Sequence, residues 1–134
     1  MNFTVNYLAV IVAAIAGVAI NALWYSVVLK AQVGVLRKGD ATIAGRDPAP
    51  PMYAVAIIGE LLMAFVLAVV LKTAGITGVA GGLGLGALLW LGFTVNALAQ
   101  VQTFGYRSRG FILVDGANWL LAALAMGAIL GAWS

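Results

Sequence analysis

Six polar side chains interrupt stretches of the chain that are otherwise apolar, and they are its strongest candidates for chemistry. They are Asn21, Glu60, Asn96, Gln100, Asp115 and Asn118. A carboxyl group in apolar surroundings can bind and release a proton, and amides can hydrogen-bond it or a small polar solute. The chain contains no Cys and no His, so thiolate chemistry, zinc sites and His-ligated haem are excluded.

Glu60 is the most informative of the six. No Lys or Arg lies inside any apolar stretch to neutralise it, so burial favours the protonated, neutral acid. We expect it to hydrogen-bond to an amide among Asn21, Asn96 and Asn118. Two interpretations stay open at this point: a site for a proton or ligand, and an acid that is permanently neutral and hydrogen-bonded.

Asp115 and the amides each have a structural alternative to a role in a site. Asp115 could instead cap the start of the following helix, or pair with Arg107 or Arg109. The three Asn side chains could instead serve as hydrogen bonds that hold helices together.

The elements that must position these residues are membrane-spanning helices. The chain has 134 residues, of which 64% are hydrophobic and 8% charged, and its mean hydropathy of +1.10 excludes an ordinary soluble domain. A membrane-crossing helix needs about 20 consecutive apolar residues. Four stretches qualify, at about 4–29, 52–71, 78–104 and 111–133. We therefore expect one all-α transmembrane domain over residues 1–134, a four-helix bundle of antiparallel up-down hairpins in which short turns join neighbours.

The basic residues predict the orientation of the bundle. Six of the seven Lys and Arg residues lie in the first loop, about 30–51, and in the third, 105–110. The positive-inside bias places these loops in the cytoplasm and both termini in the periplasm of an inner membrane. The positive charge thus indicates anionic headgroups and not nucleic acid.

The depth of the polar residues predicts a cluster. At about 1.5 Å per residue, Asn21, Glu60, Asn96 and Asn118 all lie roughly 10–13 Å below the cytoplasmic surface. Gln100 and Asp115 lie nearer that surface, so the cluster should open toward the cytoplasm.

Small residues beside the polar ones predict which helix faces pack together. Glu60 shares a stripe with Ala64 and Ala68, and Asn96 shares one with Gly92 and Gln100. Small residues next to polar ones are typical of surfaces that face other helices. Both stripes are therefore expected to face the interior of the bundle.

A second set of small residues predicts close packing in the outer halves of the third and fourth helices. The set consists of Gly78, Gly82, Gly86, Ala123, Gly127 and Gly131. In an antiparallel hairpin the two stripes fall at the same depth, where they permit close backbone approach. The same glycines could alternatively join separate copies of the chain.

One short pattern occurs twice. Gly17-x-x-x-Asn21-Ala22-Leu23 returns as Gly92-x-x-x-Asn96-Ala97-Leu98, on two helices that run in the same direction. A parallel two-hairpin repeat explains the pattern. Because Gly, Ala and Leu are abundant here, chance explains it too.

Several segments carry a resemblance to a known family. They are Asn6-Tyr7-Leu8-Ala9-Val10, Ala22-Leu23-Trp24-Tyr25-Ser26, Trp90-Leu91-Gly92-Phe93 and Gly127-x-x-Leu130-x-x-Trp133. With these the chain resembles, end to end, the bacterial membrane proteins filed as domain of unknown function 1761. The resemblance implies four helices and an inner-membrane location, and it implies no catalytic residue.

The residues predict a binding protein rather than an enzyme. Glu60 and Asp115 are the only carboxyls in the apolar stretches, and no nucleophile with a base, phosphate loop or metal-ligand spacing accompanies them. We expect no cofactor and no metal. The leading hypothesis is an oligomeric inner-membrane protein that binds or passes a proton or small solute around Glu60. The competing hypothesis is an accessory or scaffold subunit of a larger membrane complex, or a lipid-binding protein.

Overall fold

The fold consists of helices that run up and down the molecule. A computed structural model of the chain describes residues 3–24, 50–106 and 109–133. Within these ranges the helices are α1 (Tyr7–Leu23), α2 (Pro50–Ala74), α3 (Gly78–Phe104) and α4 (Arg109–Trp133). The predicted all-α, four-helix fold is confirmed.

Three of the helices are long and apolar enough to cross a membrane. They contain the spans Tyr53–Ala74, Gly78–Phe104 and Ile112–Trp133, whereas the described part of α1 is a shorter apolar helix. Residues 25–29 of the predicted first span, and residues 30–49 of the predicted loop, lie outside the described residues. The predicted third span has the observed bounds, while α2 and α4 begin about two residues earlier than predicted.

Local sequence signals set the helix ends. The side chain of Asn6 accepts a hydrogen bond from the amide of Ala9, which caps the start of α1. Gly75 follows the end of α2 with a φ of 69°, a conformation that glycine adopts at little cost. The amide of Ile76 then donates to the carbonyl of Leu71, which completes a Schellman end. The chain therefore reverses direction within a three-residue turn.

The packing order differs from the chain order. Helix α1 packs on both α4 and α2, and α3 packs mainly on α4. Helices α2 and α3 make few close contacts, although a short turn joins them. The expectation that this turn joins two packed neighbours is wrong, because α3 lies against α4 instead. A groove of about 500 Å³ separates α2 from α3, and Ala123 and Met126 of α4 form part of its lining.

The two ends of the bundle differ in chemistry. We call the end where α1 and α3 finish and α2 and α4 begin the basic end, because the loops that carry most of the Lys and Arg residues join the helices there. The opposite end, with the turn between α2 and α3, is the turn end. The core lies where α1, α2 and α4 meet. Its buried apolar residues include Ala9, Ala13, Ala14, Ala64, Leu67, Ala122, Met126 and Leu130.

Helices α3 and α4 approach each other closely near the turn end. A Cβ atom added at Gly82 would overlap the carbonyl of Gly127, and one added at Gly131 would overlap the carbonyl of Gly78. At Gly86 an added Cβ would lie 2.5 Å from the carbonyl oxygen of Ala123. These positions, which we call the glycine seam, have no room for a side chain.

Helix α3 contains a π-helical turn at Trp90–Thr94. Such a turn accommodates one extra residue, so it rotates the following part of the helix by about 100° relative to a regular α-helix. The indole Nε1 of Trp90 donates a hydrogen bond of 2.9 Å to the carbonyl of Gly116 on α4. This bond joins α3 to α4 at the point where the helix changes geometry.

Candidate functional site

Glu60 lies in the middle of α2, and its side chain packs against α1. The residue is only 1% exposed, and Asn21 of α1 donates a hydrogen bond from Nδ2 to its Oε1. The hydrogen bond to an amide that the sequence predicts is therefore present. Its partner is Asn21.

Gly17 makes room for the carboxyl group. A Cβ atom at this position would overlap Oε2 of Glu60 and would lie 3.1 Å from its Cδ. The same Cβ would lie 3.4 Å from Sδ of Met126, on α4. The carboxyl group thus lies over the backbone of α1, with Met126 close by.

Several polar side-chain atoms of the bundle are buried without a hydrogen-bond partner. Within the described part of the chain they are Asn21 Oδ1, Trp24 Nε1, Glu60 Oε2, Gln102 Oε1, and both Oδ1 and Nδ2 of Asn118. Buried polar side chains in proteins are almost always hydrogen-bonded to protein or to ordered water. A buried group that no protein atom satisfies is typical of a place that takes water or a small polar ligand.

The unpaired atoms are spread along the helix axis. Met126 is the α4 side chain beside Gly17, and Asn118 lies eight residues, or about 12 Å, closer to the basic end. Asn21 lies about 6 Å from Gly17 in the same direction. The expected cluster of one polar group from each helix is wrong for α3, because Asn96 is exposed. The remaining polar groups, on α1, α2 and α4, form a track along the axis.

Asp115 continues this track toward the basic end. It is buried, and Nε2 of Gln102 on α3 donates a 3.1 Å hydrogen bond to its Oδ2. Helix α4 begins at Arg109, six residues earlier, so the interpretation of Asp115 as the helix cap is wrong. Asp115 and Asn118 are three residues apart and share a helix face. We call the set of Asp115, Asn118, Asn21 and Glu60 the polar track.

The polar track ends at Glu60. Toward the turn end the side chains of Ala13 on α1 and Ala64 on α2 are fully buried, and Met126 of α4 is almost so. Ala13 and Ala64 lie one turn beyond Gly17 and Glu60. Buried apolar side chains thus bound the polar track on its turn-end side.

Asn96 and Gln100 do not join the polar track. Both are exposed, and so is Gly92, so the prediction that this stripe faces the interior is wrong. Gly82 and Gln100 are eighteen residues apart, or about five turns, so in a regular helix both would face α4. The π-helical turn between them rotates Asn96 and Gln100 away from α4. The two copies of the Gly-x-x-x-Asn pattern thus lie in different surroundings. The copy in α1 faces the interior, and the copy in α3 is exposed.

Sequence reasoning missed Gln102 and Met126 as neighbours of the site, and it did not single out Trp24, whose indole Nε1 is buried without a partner among the described residues. Gln102 carried a usable signal, because it is a polar residue two positions beyond Gln100 and faces the other side of the helix. Trp24 lies three residues after Asn21, on the same face of the chain. Met126 carried no signal, since nothing distinguishes it from other apolar residues of α4.

Comparison with known proteins identifies a family and nothing more specific. The model of the family described as "Protein of unknown function (DUF1761)" matches residues 8–131. No curated protein and no solved structure matches the chain.

Proposed function

Because the chain belongs to the DUF1761 family, whose description names no activity, we propose its function from the polar track alone: it binds a proton or a small polar solute at Glu60 within a membrane. The observation that carries the proposal is the buried carboxyl group, whose Oε2 has no hydrogen-bond partner among the described residues. An ionisable side chain that is buried within a membrane costs free energy, and such residues are typical of functional sites. A purely structural acid would be expected to have both oxygens satisfied.

The second part of the proposal is access from one side. The positive-inside bias of the two basic loops supports a cytoplasmic basic end, both termini in the periplasm, and an inner-membrane location. Asp115 and Asn118 then lie between the cytoplasm and Glu60, whereas apolar residues and the glycine seam close the periplasmic half. Glu60 would therefore equilibrate with the cytoplasm.

The third part concerns assembly and chemistry. A chain of 13.8 kDa is small for an alternating-access transporter, which favours an oligomer of two or more copies. The two acids Glu60 and Asp115, with the amides of Asn21, Asn118 and Gln102, can bind and release a proton or a small polar solute. We therefore propose a binding or transport role and no enzymatic activity.

Chemical labelling of Glu60 tests the proposal. A lipid-soluble carbodiimide reacts with protonated carboxyl groups, so purified protein in lipid vesicles should be labelled at Glu60, as located by mass spectrometry. Labelling should fall as the pH rises and should be absent in Glu60→Gln, while Asp115→Asn controls for the second carboxyl. In vesicles that contain a pH-sensitive dye, an imposed proton gradient measures passage separately from binding. Labelling that is absent at every pH, or constant across it, would contradict a site that exchanges protons.

The groove between α2 and α3 favours a second candidate function. Its lining is almost wholly apolar and lies in the middle of the spans, with residues such as Met63, Val66 and Phe93. Such a surface suits a lipid chain or a helix of a larger complex, as the accessory-subunit hypothesis requires. Purification in mild detergent distinguishes the two. Stoichiometric recovery of another membrane protein supports the accessory role, and recovery of this chain alone supports the first proposal.

A further inference from the structure

We propose that the exposed surface of α3 formed by Gly92, Asn96 and Gln100, the amide face, is an interface with a second copy of this chain. All three residues are exposed on the surface of the bundle. Helix α3 is also the least buried of the three candidate spans. The inference does not depend on the role of Glu60.

The position of Asn96 is the first argument. Helix α3 spans 27 residues, or about 40 Å, whereas the hydrocarbon layer is about 30 Å thick. Asn96 lies eight residues, or about 12 Å, from the end of the helix at Phe104, so it lies within the hydrocarbon. A polar side chain that faces lipid there is unfavourable, and such residues usually face protein.

The two amides leave hydrogen-bonding capacity for a partner. Asn96 donates from Nδ2 to the carbonyl of Gly92 at 3.4 Å, and Gln100 donates from Nε2 to Oδ1 of Asn96 at 3.0 Å. These bonds use one N–H of each amide. Among the described residues, the second N–H of each amide and Oε1 of Gln100 have no partner. The face therefore presents both donors and an acceptor.

The π-helical turn is the second argument. A regular helix would place Gln100 on the α4 side, and the turn at Trp90–Thr94 directs it outward. Turns of this kind interrupt the regular hydrogen-bond pattern and occur often at functional sites. The change of geometry thus creates the amide face.

The depth of Asn96 and the chemistry of its amide favour another copy of the chain as the partner. All copies insert with the same orientation, so a two-fold axis along the membrane normal brings Asn96 of one copy to the depth of Asn96 of the other. Such an interface must be complementary to itself, and an amide, being both donor and acceptor, satisfies this condition. Nothing lies within 4 Å of a Cβ added at Gly92, so a second helix has space to approach there. Gly92 thereby allows the amides of the two copies to come within hydrogen-bonding distance.

Disulfide crosslinking in membranes tests the interface, since the chain has no Cys of its own. Gly92→Cys adds a thiol one turn from Asn96 and keeps both amides, and the open space at Gly92 accommodates it. Ile57→Cys is the control, because Ile57 is exposed on a different helix, α2, about 10 Å from the basic end against about 18 Å for Gly92. A disulfide requires Cα atoms within about 7 Å. Under mild oxidation, Gly92→Cys should form a dimer at least about fivefold more efficiently than Ile57→Cys.

A second variant tests the role of the amides. Adding Asn96→Leu to Gly92→Cys should reduce the crosslinked fraction, and Asn96→Leu alone should weaken association of the native chain about tenfold, as measured by energy transfer between labelled copies in vesicles. Leu62→Ala, which shortens an exposed side chain on α2, should leave association unchanged. Circular dichroism confirms that each variant retains its helices.

Three results would overturn the proposal. Equal crosslinking of Gly92→Cys and Ile57→Cys would show that the amide face does not meet itself. A native mass of one chain in lipid nanodiscs would exclude the second copy. Crosslinking of Gly92→Cys to a different membrane protein would assign the face to a heteromeric complex.

Discussion

Replacement of Gly82 by Ala tests the closest contact in the structure. A Cβ atom at Gly82 would overlap the carbonyl oxygen of Gly127, lie 2.6 Å from its carbonyl carbon, and lie 3.3 Å from Cα of Gly131. All three neighbours are backbone atoms of α4, so no rotamer change can relieve the overlap. Helices α3 and α4 would have to separate by about 1.5 Å to restore van der Waals distances, and even a gap of about 1 Å forfeits up to about half of the dispersion energy of each contact.

The magnitude follows from two opposing effects. Overpacking of a close contact costs about 1–3 kcal/mol. Ala is favoured over Gly inside a helix by about 1 kcal/mol, which offsets part of this cost. We expect Gly82→Ala to reduce the free energy of unfolding by up to about 2 kcal/mol. Gly84→Ala is the matched control, because a Cβ there meets nothing within 4 Å; it should be neutral or stabilising by up to about 1 kcal/mol.

Reversible unfolding of the purified protein in mixed detergent micelles measures both variants. The expected difference between Gly82→Ala and Gly84→Ala is about 1–3 kcal/mol, the cost of overpacking alone, since the helix-propensity gain is common to both. If the two variants were equally stable, α3 and α4 would not be in contact at Gly82, and the packing order described above would be refuted.

Three further predictions concern the same helices and the topology. Trp90→Phe should reduce the free energy of unfolding by about 0.5–1.5 kcal/mol in the same micelle assay, because it removes the hydrogen bond to the carbonyl of Gly116. Gly17→Ala should cost less stability than Gly82→Ala, because its Cβ meets the end of the Glu60 side chain rather than backbone; the displaced carboxyl should instead change its infrared absorption. A reporter that is active only in the cytoplasm, fused after Ser134, should be inactive, and activity there would reverse the proposed topology.

The fold could be predicted from the sequence because a membrane-spanning helix requires a long apolar stretch. Long apolar stretches between charged or Gly-rich segments predicted all four helices, and the third was predicted with the observed bounds. Two features of the sequence predicted the burial of Glu60 and its hydrogen bond to an amide. No Lys or Arg lies within the spans, and small residues lie beside the polar ones on the same helix faces. Helix periodicity and residue size are local properties that one sequence contains.

The errors had a different origin. A single π-helical turn changes the helix period, so the prediction that Asn96 and Gln100 face inward failed although the periodicity was counted correctly. The prediction of the packing order was wrong for a related reason. A short turn determines which helices follow each other in the chain, but it does not determine which helix faces are complementary. Gln102 was missed as the partner of Asp115 because that contact joins α3 to α4 and depends on their relative rotation. Long-range geometry of this kind does not follow from residue spacing.

Infrared titration of Glu60 tests most directly whether the polar track is a proton site. The difference spectrum between the wild-type protein and Glu60→Gln isolates the absorption of this one carboxyl, and Asp115→Asn controls for the other. If Glu60 is a proton site, a protonated-acid band should be present at neutral pH, Glu60→Gln should remove it, and it should convert to an ionised carboxylate as the pH rises. An ionised carboxylate at neutral pH would contradict the buried-acid argument, and a protonated band that never titrates while the protein stays folded would make Glu60 a structural acid.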